Sequence, residues 1–271
     1  MDVALDTHAG LDPAAFARDG VACVRGVAGS RWMEPLRAAV AWAMANPSPV
    51  AVDYGVQGTP RFFHDVNVWR RHDAIRDFAL NGPAVEVART LLGAKSLRYY
   101  GDHVMVKEPG TVDLPVPWHQ DLGYVRVTGW QFCSVWVALD TVTQESGGMR
   151  FVRGSHRGPT YKPVKFQTGE SVKTDEYDEV VPDVDADPAR FPVVHFDLAP
   201  GDCTVHHANT LHASGGNRTP DRMRRAVILR YAGEDARYTV HQQALKTADP
   251  GLKVGDPLGG EHYPQVWPRD G

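Results

Sequence analysis

The apolar residues of this chain change period near residue 97, and no other feature of the sequence restricts the fold as strongly. Before that point they recur three and four apart. Trp32, Leu36, Val40 and Ala43 fall on one face of a helix expected from Ser30 to about Ala45. Asp12-Pro13 reads as an N-cap and first-turn pair with Gly20 as the stop, and Val21 to Arg25 reads as extended. Two more helices are expected at 72–80 and 83–92, the second opened by Pro83 and closed by Gly93. From Leu97 the pattern becomes short β-rich stretches bounded by Gly and Pro: Leu97–Glu108, Trp130–Leu139, Met149–Val152, Val193–Leu198, Cys203–His207 and Met223–Tyr231. Strands at that rhythm predict a sandwich or barrel.

A chain of 271 residues with this rhythm is expected to form one domain spanning 1–271. It divides into a mostly helical flank (1–95), a β core (96–235) and a C-terminal extension (236–271). The polar stretch from about Lys162 to Arg190 predicts a long insertion within the core, and long loops on β scaffolds often cover active sites. No internal repeat is visible. A net charge of −4 argues against a nucleic-acid partner, because phosphate binders carry a basic field. A small-molecule substrate fits better, and the chain is expected to be a monomer or homodimer. Cys23, Cys133 and Cys203 are scattered without a CxxC, so neither a disulfide scaffold nor a cysteine zinc site is indicated. No basic leader precedes an apolar stretch, and the longest purely apolar run, Ala38–Ala45, is too short for a bilayer. The expected location is the cytoplasm, with no membrane partner.

In an extended segment His119 and Asp121, two residues apart, point to the same face and can grip one ion. The pair alone is weak. With 12 histidines and 33 acidic residues in 271, about 1.5 such matches arise by chance. The second match, His195-Phe196-Asp197, sits on an alternating strand before Pro200-Gly201 and reads as strand surface. The first gains weight from His212 far downstream, which lets a distant strand supply a third ligand. Two His and one carboxylate on one face of an octahedron leave positions open for a cosubstrate and dioxygen, as in non-haem Fe(II) enzymes. His206 and His207 read as satisfied polar or core histidines.

Further blocks surround the pair. Lys107-Glu108-Pro109-Gly110, Trp118-His119-Gln120-Asp121, Trp136-Val137-Ala138-Leu139-Asp140, Gly147-Gly148, Gly154-Ser155-His156, Gly201-Asp202 and His212-Ala213-Ser214-Gly215-Gly216-Asn217 occur in that order over most of the chain. Together they resemble the phytanoyl-CoA dioxygenase family of Fe(II)/2-oxoglutarate oxygenases. The resemblance implies a mainly β double-stranded β-helix (jelly-roll) barrel with flanking N-terminal helices. It also implies Fe(II), 2-oxoglutarate and O2 as cofactor and cosubstrates, and His119, Asp121 and His212 as iron ligands. It places the cosubstrate's C5 carboxylate on an arginine after His212. Arg224 and Arg225 compete, alignment on Ala226 favours Arg224, and alternation turns only one of them inward. Gln120, Trp136 and Ser214 would line the cosubstrate pocket, although Gln120 needs a local bend to face it. Lys107 is a weaker candidate, since lysines on β-edges are usually solvated. Gly154-Ser155-His156 reads as a turn.

The activity implied is 2-oxoglutarate-dependent hydroxylation of an aliphatic C–H in a small metabolite, with release of succinate and CO2. In related halogenases a small residue replaces the carboxylate, so the Asp121 present here favours hydroxylation. Desaturation, ring closure and epimerisation use the same oxidant. Arg61, His64, Trp69, Tyr124 and Trp130 are candidate substrate-lining residues, and no clustered basic motif for a CoA phosphate is present. Two other classes compete. A non-catalytic metal-binding sensor barrel would lack a cosubstrate arginine. A cupin-like zinc or manganese enzyme would draw on more histidines, such as His206 or His207.

Overall fold

The computed structural model describes residues 11–55, 58–244 and 248–269. The chain opens with α1 (Pro13–Asp19), β1 (Val21–Val24) and α2 (Ser30–Ala45), followed by β2 (Val52–Asp53), β3 (Phe62–Val66), α3 (Asp73–Asn81) and α4 (Ala84–Leu92). The strands then run β4 (Leu97–Lys107), β5 (Val116–His119), β6 (Val127–Thr128), β7 (Phe132–Ala138), β8 (Met149–Val152) and β9 (Val193–His195). The last five are β10 (Cys203–His207), β11 (His212–Ser214), β12 (Arg224–Gly233), β13 (Arg237–Tyr238) and β14 (Gln265–Trp267).

The helices form where the sequence expects them, for local reasons. Asp12 Oδ1 accepts from the amides of Ala14 and Ala15 at 2.9 and 3.0 Å, and Gly20 ends α1 at φ 74°. Leu36, Ala39, Val40 and Ala43 of α2 join Ile75 and Phe78 of α3 and Val85 and Ala88 of α4 in one apolar layer. Burying a side chain the size of Leu36, Ile75 or Phe78 contributes about 1.5–3 kcal/mol. That layer lies on one face of an eight-stranded antiparallel sheet ordered β1-β10-β7-β12-β4-β3-β2, with β14 also on β4.

Alternation along the central strands divides the residues between the two faces. Val104 and Val106 on β4, Val135 and Val137 on β7, and Val227 and Leu229 on β12 face the helices. The intervening side chains face a second sheet of four strands, ordered β5-β11-β8-β9. The Phe151 ring of β8 reaches the His206 ring of β10, 5.4 Å between centroids, so the two sheets meet face to face. This is a mainly β jelly-roll with a helical layer on its outer face, and its sheets do not close into a barrel.

Besides the expected extended segment at β1, the first 95 residues hold β2 and β3, and all three strands extend the large sheet at its edges. The stretch between Tyr161 and Pro192 carries no helix or named strand. Residues 1–10 and 245–247 and the last two of the C-terminal extension lie outside the described residues. All three cysteines are free. Among the described residues no helix is long and apolar enough to cross a membrane.

Candidate metal centre

Two histidines face each other across the small sheet. His119 ends β5 and His212 begins β11, the two strands pair antiparallel with these residues opposite, and their ring centroids lie 4.1 Å apart. Each ring is fixed by the same local device. His119 Nδ1 donates to Pro117 O at 2.8 Å and His212 Nδ1 donates to Thr210 O at 2.9 Å. With the proton held on Nδ1, both Nε2 atoms are left as bare acceptors, the tautomer a metal requires. Burial pushes both imidazoles down from their ordinary pKa, His212 strongly with the His119 ring adding to the effect, and keeps them neutral.

Asp121 reaches the same point because the chain turns there. Gln120 is still extended, and a 3-10 turn over Asp121–Tyr124 swings the carboxylate inward. One ligand atom from each of His119, Asp121 and His212 lies within 4.8 Å of the others, and all three residues are buried. The carboxylate is set by one row of the large sheet, in which His206 pairs with Ser134 and Ser134 with Arg230. Ser134 Oγ donates to Oδ2 at 2.6 Å, Arg230 Nη2 lies 3.3 Å from Oδ1, and His206 Nε2 lies 3.4 Å from Oδ2. Burial alone would raise the Asp121 carboxyl. Arg230, with His206 and His212, outweighs it and holds the group well below the ordinary carboxylate range. Two neutral Nε2 atoms and one ionised carboxylate converging from one side are the donor set that suits an open Fe(II) site.

A cavity with about 780 Å³ of empty space opens over these three residues. Arg224 lines one end, wholly buried, with Nε and Nη2 donating to Gly147 O at 3.2 and 3.0 Å and its guanidinium 5.1 Å from the Trp136 ring centroid. Among the described residues its Nη1 has no partner, and burial pushes its pKa down to about 10. Arg225 turns the other way and binds Asp140 at 2.6 Å. The Gly147 that receives Arg224 sits at φ 82°, where an added Cβ would lie 2.7 Å from Gly215 O, so the Gly147-Gly148 block is a steric requirement of this corner.

Trp136 and Ser214 line the cavity, and so do His64 and Tyr124. Gln120 does not. No bend turns it, and its amide ties the loop behind the site, donating to Pro159 O and Asn209 O at 3.0 and 2.8 Å and accepting from Tyr161 N at 2.7 Å. Three substrate candidates also fall outside. Arg61 precedes β3 and binds Asp53 at 2.6 Å, Trp69 packs in the helical layer, and Trp130 is half exposed beside His207.

Two expectations about surroundings change. Lys107 is not solvated: β4 is paired on both sides, and Nζ is buried, donating to Gly215 O at 2.6 Å and lying 3.2 Å from Ser214 Oγ. Burial and the neighbouring Arg224 push its pKa well down. His206 is no ordinary core histidine, since its Nε2 faces the Asp121 carboxylate at 3.4 Å, its Nδ1 has no hydrogen-bond partner among the described residues, and the ring lines the cavity. His207 keeps the plain role, its Nε2 donating to Trp130 O at 2.7 Å. His195, at the end of β9, and Asp197, just beyond it, are exposed. The insertion covers the site: Phe166 lies 4.9 Å from the His119 ring, and the Tyr124 hydroxyl donates to Val164 O and accepts from Val164 N, at 2.7 and 2.6 Å.

Residues 16–226 match the family described as Phytanoyl-CoA dioxygenase (PhyH). The chain belongs to the phytanoyl-CoA dioxygenase family. It is 30% identical over 167 residues to the probable alpha-ketoglutarate-dependent hypophosphite dioxygenase of Stutzerimonas stutzeri, covering 60% of this chain and 54% of that protein. It is 30% identical over 156 residues to the probable phytanoyl-CoA dioxygenase of Caenorhabditis elegans, covering 56% and 48%. The matched part thus spans about half the length of these curated relatives. Among solved structures it is similar to the non-heme alpha ketoglutarate dependent epimerase SnoN from nogalamycin biosynthesis, with a TM-score of 0.75 and 27% identity over 95% of each chain. It is also similar to the carbocyclase SnoK of the same biosynthesis, with a TM-score of 0.73 and 25% identity over 94% of each chain. SnoN is known in complex with Fe3+, alpha ketoglutarate and nogalamycin RO.

The sequence reading did not select Tyr54, Phe62, His103, Met105, Phe166 or Arg230, all of which line this family member's cavity. Counting by twos from Arg224 along β12 reaches Ala226, Ile228 and Arg230, and counting back from Lys107 along β4 reaches Met105 and His103. Strand periodicity therefore held a usable signal for three of these six.

Proposed function

We propose that this chain is an Fe(II)/2-oxoglutarate-dependent oxygenase that oxidises an aliphatic C–H bond of a small metabolite. His119, Asp121 and His212 hold the iron, and Arg224 takes the C5 carboxylate of the cosubstrate. The observation that carries this reading is the pair of Nδ1-anchored histidines facing an ionised Asp121, with the unpartnered Arg224 Nη1 in the same cavity. Bound iron and 2-oxoglutarate supply an oxidant for C–H bonds, with succinate and carbon dioxide as co-products. The protein's own contribution is orientation and exclusion of water. Backbone carbonyls hold two ligands, the Ser134–Arg230–His206 row holds the third, Trp136 backs the arginine, and Phe166 and Tyr124 hold the loop over the centre.

The retained Asp121 favours hydroxylation. The likeness to SnoN and SnoK over nearly the whole chain supports a second reading, in which hydrogen abstraction ends in epimerisation or ring closure. A sensor barrel without turnover is disfavoured by the buried Arg224, and a four-ligand zinc or manganese site by His206, which lies beside Asp121 outside the group of converging ligand atoms. The test is succinate formation from 2-oxoglutarate with Fe(II) and ascorbate while metabolites are screened for stimulation. Mass analysis of the product then separates gain of one oxygen from isomerisation or loss of two hydrogens. His119→Ala and Asp121→Ala abolish succinate formation, and undiminished turnover in both would overturn the ligand assignment.

A further inference from the structure

Arg230 has more donors than its neighbours use. It stands on the inner face of β12, 8% exposed, and among the described residues the one carboxylate it pairs with is Asp121. Among the described residues Nη1 reaches only His103 Nδ1, at 3.5 Å, and Nε is buried without a partner. A buried guanidinium with idle donors is costly unless something completes it. A chain of neutral groups orients it from behind. Once His103 Nδ1 accepts from Arg230, its Nε2 donates to His64 Nδ1 at 2.9 Å, and His64 Nε2 then donates to the Tyr54 hydroxyl at 3.3 Å.

Charge points the same way. Iron(II) with Arg224 and Arg230 brings four positive charges, and Asp121 with the 2-oxoglutarate dianion brings three negative ones, so a buried positive charge is left over beside the reaction centre. Arg230 also borders a second cavity, with about 1140 Å³ of empty space. Its other charged lining groups among the described residues are Arg70, Arg71 and Asp102. Asp102 is already engaged by the amides of Val68 and Trp69, both at 2.9 Å. Arg71 is paired with Asp65 at 2.5 Å and Asp102 offsets Arg70, so the charge left over in this cavity is that of Arg230, the group with idle donors.

We infer that Arg230 anchors an oxyanionic group of the primary substrate, a carboxylate or a phosphoryl-type group, between the second cavity and the metal centre. The inference rests on the oxygenase reading and names the substrate class for it. The anchored end then lies next to Asp121, with the rest of a small substrate against Phe62, Met105 and Ile228.

The experiment uses full-length protein loaded with Mn(II) and saturating 2-oxoglutarate, without oxygen. It is titrated calorimetrically with inorganic phosphate, acetate and the neutral control acetamide. Phosphate or acetate binds saturably and acetamide does not, and which of the two binds tells a phosphoryl-type from a carboxylate substrate. Arg230→Gln weakens the oxyanion at least tenfold. Arg230→Lys keeps a cation beside Asp121 but loses the forked donors, and weakens it at least threefold. Equal affinity for acetate and acetamide with no phosphate binding, or oxyanion affinity unchanged in Arg230→Lys, would overturn the proposal. Direct capture of the anion by manganese shows itself as that second outcome. Absence of 2-oxoglutarate binding in the unaltered protein would instead remove the oxygenase reading, so the two failures are distinguishable.

Discussion

Replacing Arg224 with methionine separates what this residue costs the fold from what it gives the cosubstrate. Burial moves its pKa from 12.5 to about 10. A cation whose folded pKa is depressed but still far above neutrality is charged in both the folded and unfolded states at pH 7. The whole shift, about 3 kcal/mol at roughly 1.4 per unit, is then a destabilisation of the ligand-free protein. The charge-assisted bonds to Gly147 O offset about 1.5–3 kcal/mol of it. Arg224→Met therefore leaves ligand-free stability unchanged or raises it by up to about 1.5 kcal/mol, whereas truncation of buried groups normally costs stability. The cosubstrate loses two charge-assisted bonds, about 3–5 kcal/mol, and its affinity falls at least about a hundredfold. At a 2-oxoglutarate concentration of about 100 times Kd, with Mn(II) saturating, the unaltered protein gains about 2.7 kcal/mol, or about 5–8 °C in Tm. At the same concentration the variant gains about 0.4 kcal/mol, or about 1 °C. Thermal melts with and without 2-oxoglutarate measure both quantities. An equal ligand-induced shift in the two proteins refutes Arg224 as the anchor, and a ligand-free variant less stable by more than about 2 kcal/mol refutes the account of its burial.

Three other outcomes follow from the same geometry. Ser134→Ala removes the 2.6 Å donor to Asp121 Oδ2 and lowers metal affinity by about 10–100-fold in a chelator competition, with little change in metal-free melting. Tyr124→Phe releases Val164 and the loop carrying Phe166, so succinate formed per substrate oxidised rises; a ratio that stays constant would show that the loop does not depend on this hydroxyl. His207 has its pKa lowered by burial from 6.5 to about 4, so its contribution is present above pH 6.5 and is lost as pH falls through that window. The unaltered protein loses about 2 kcal/mol from this group between pH 7.5 and 5, and His207→Gln, whose amide can still donate to Trp130 O, shows a correspondingly flatter acid limb in denaturant melts.

What could be read from the sequence ran along the chain, and what could not ran across it. Helix α2 was legible from Ser30 to Ala45 because its apolar face repeats over four turns and needs no partner to be recognised. Strand β11 has three residues, too few to show alternation, and its pairing with β5 joins residues 93 apart. His212 was reached through the order of the surrounding blocks. The three substrate candidates outside the cavity rest on residue type near a loop, and register decides otherwise. On β3 His64 pairs with Met105 and faces in, while Arg61 lies before the strand and turns to Asp53. Gln120 shows the converse, since strict alternation already pointed it away from His119 and Asp121, and the structure follows the alternation. Ser134, Arg230 and His206 meet at Asp121 only because β10, β7 and β12 align in one register, and no periodicity within any one of these strands encodes that row. The ligands of such a site can therefore be named from spacing and order, whereas the groups that set their charge and orientation become visible only when the strands are laid side by side.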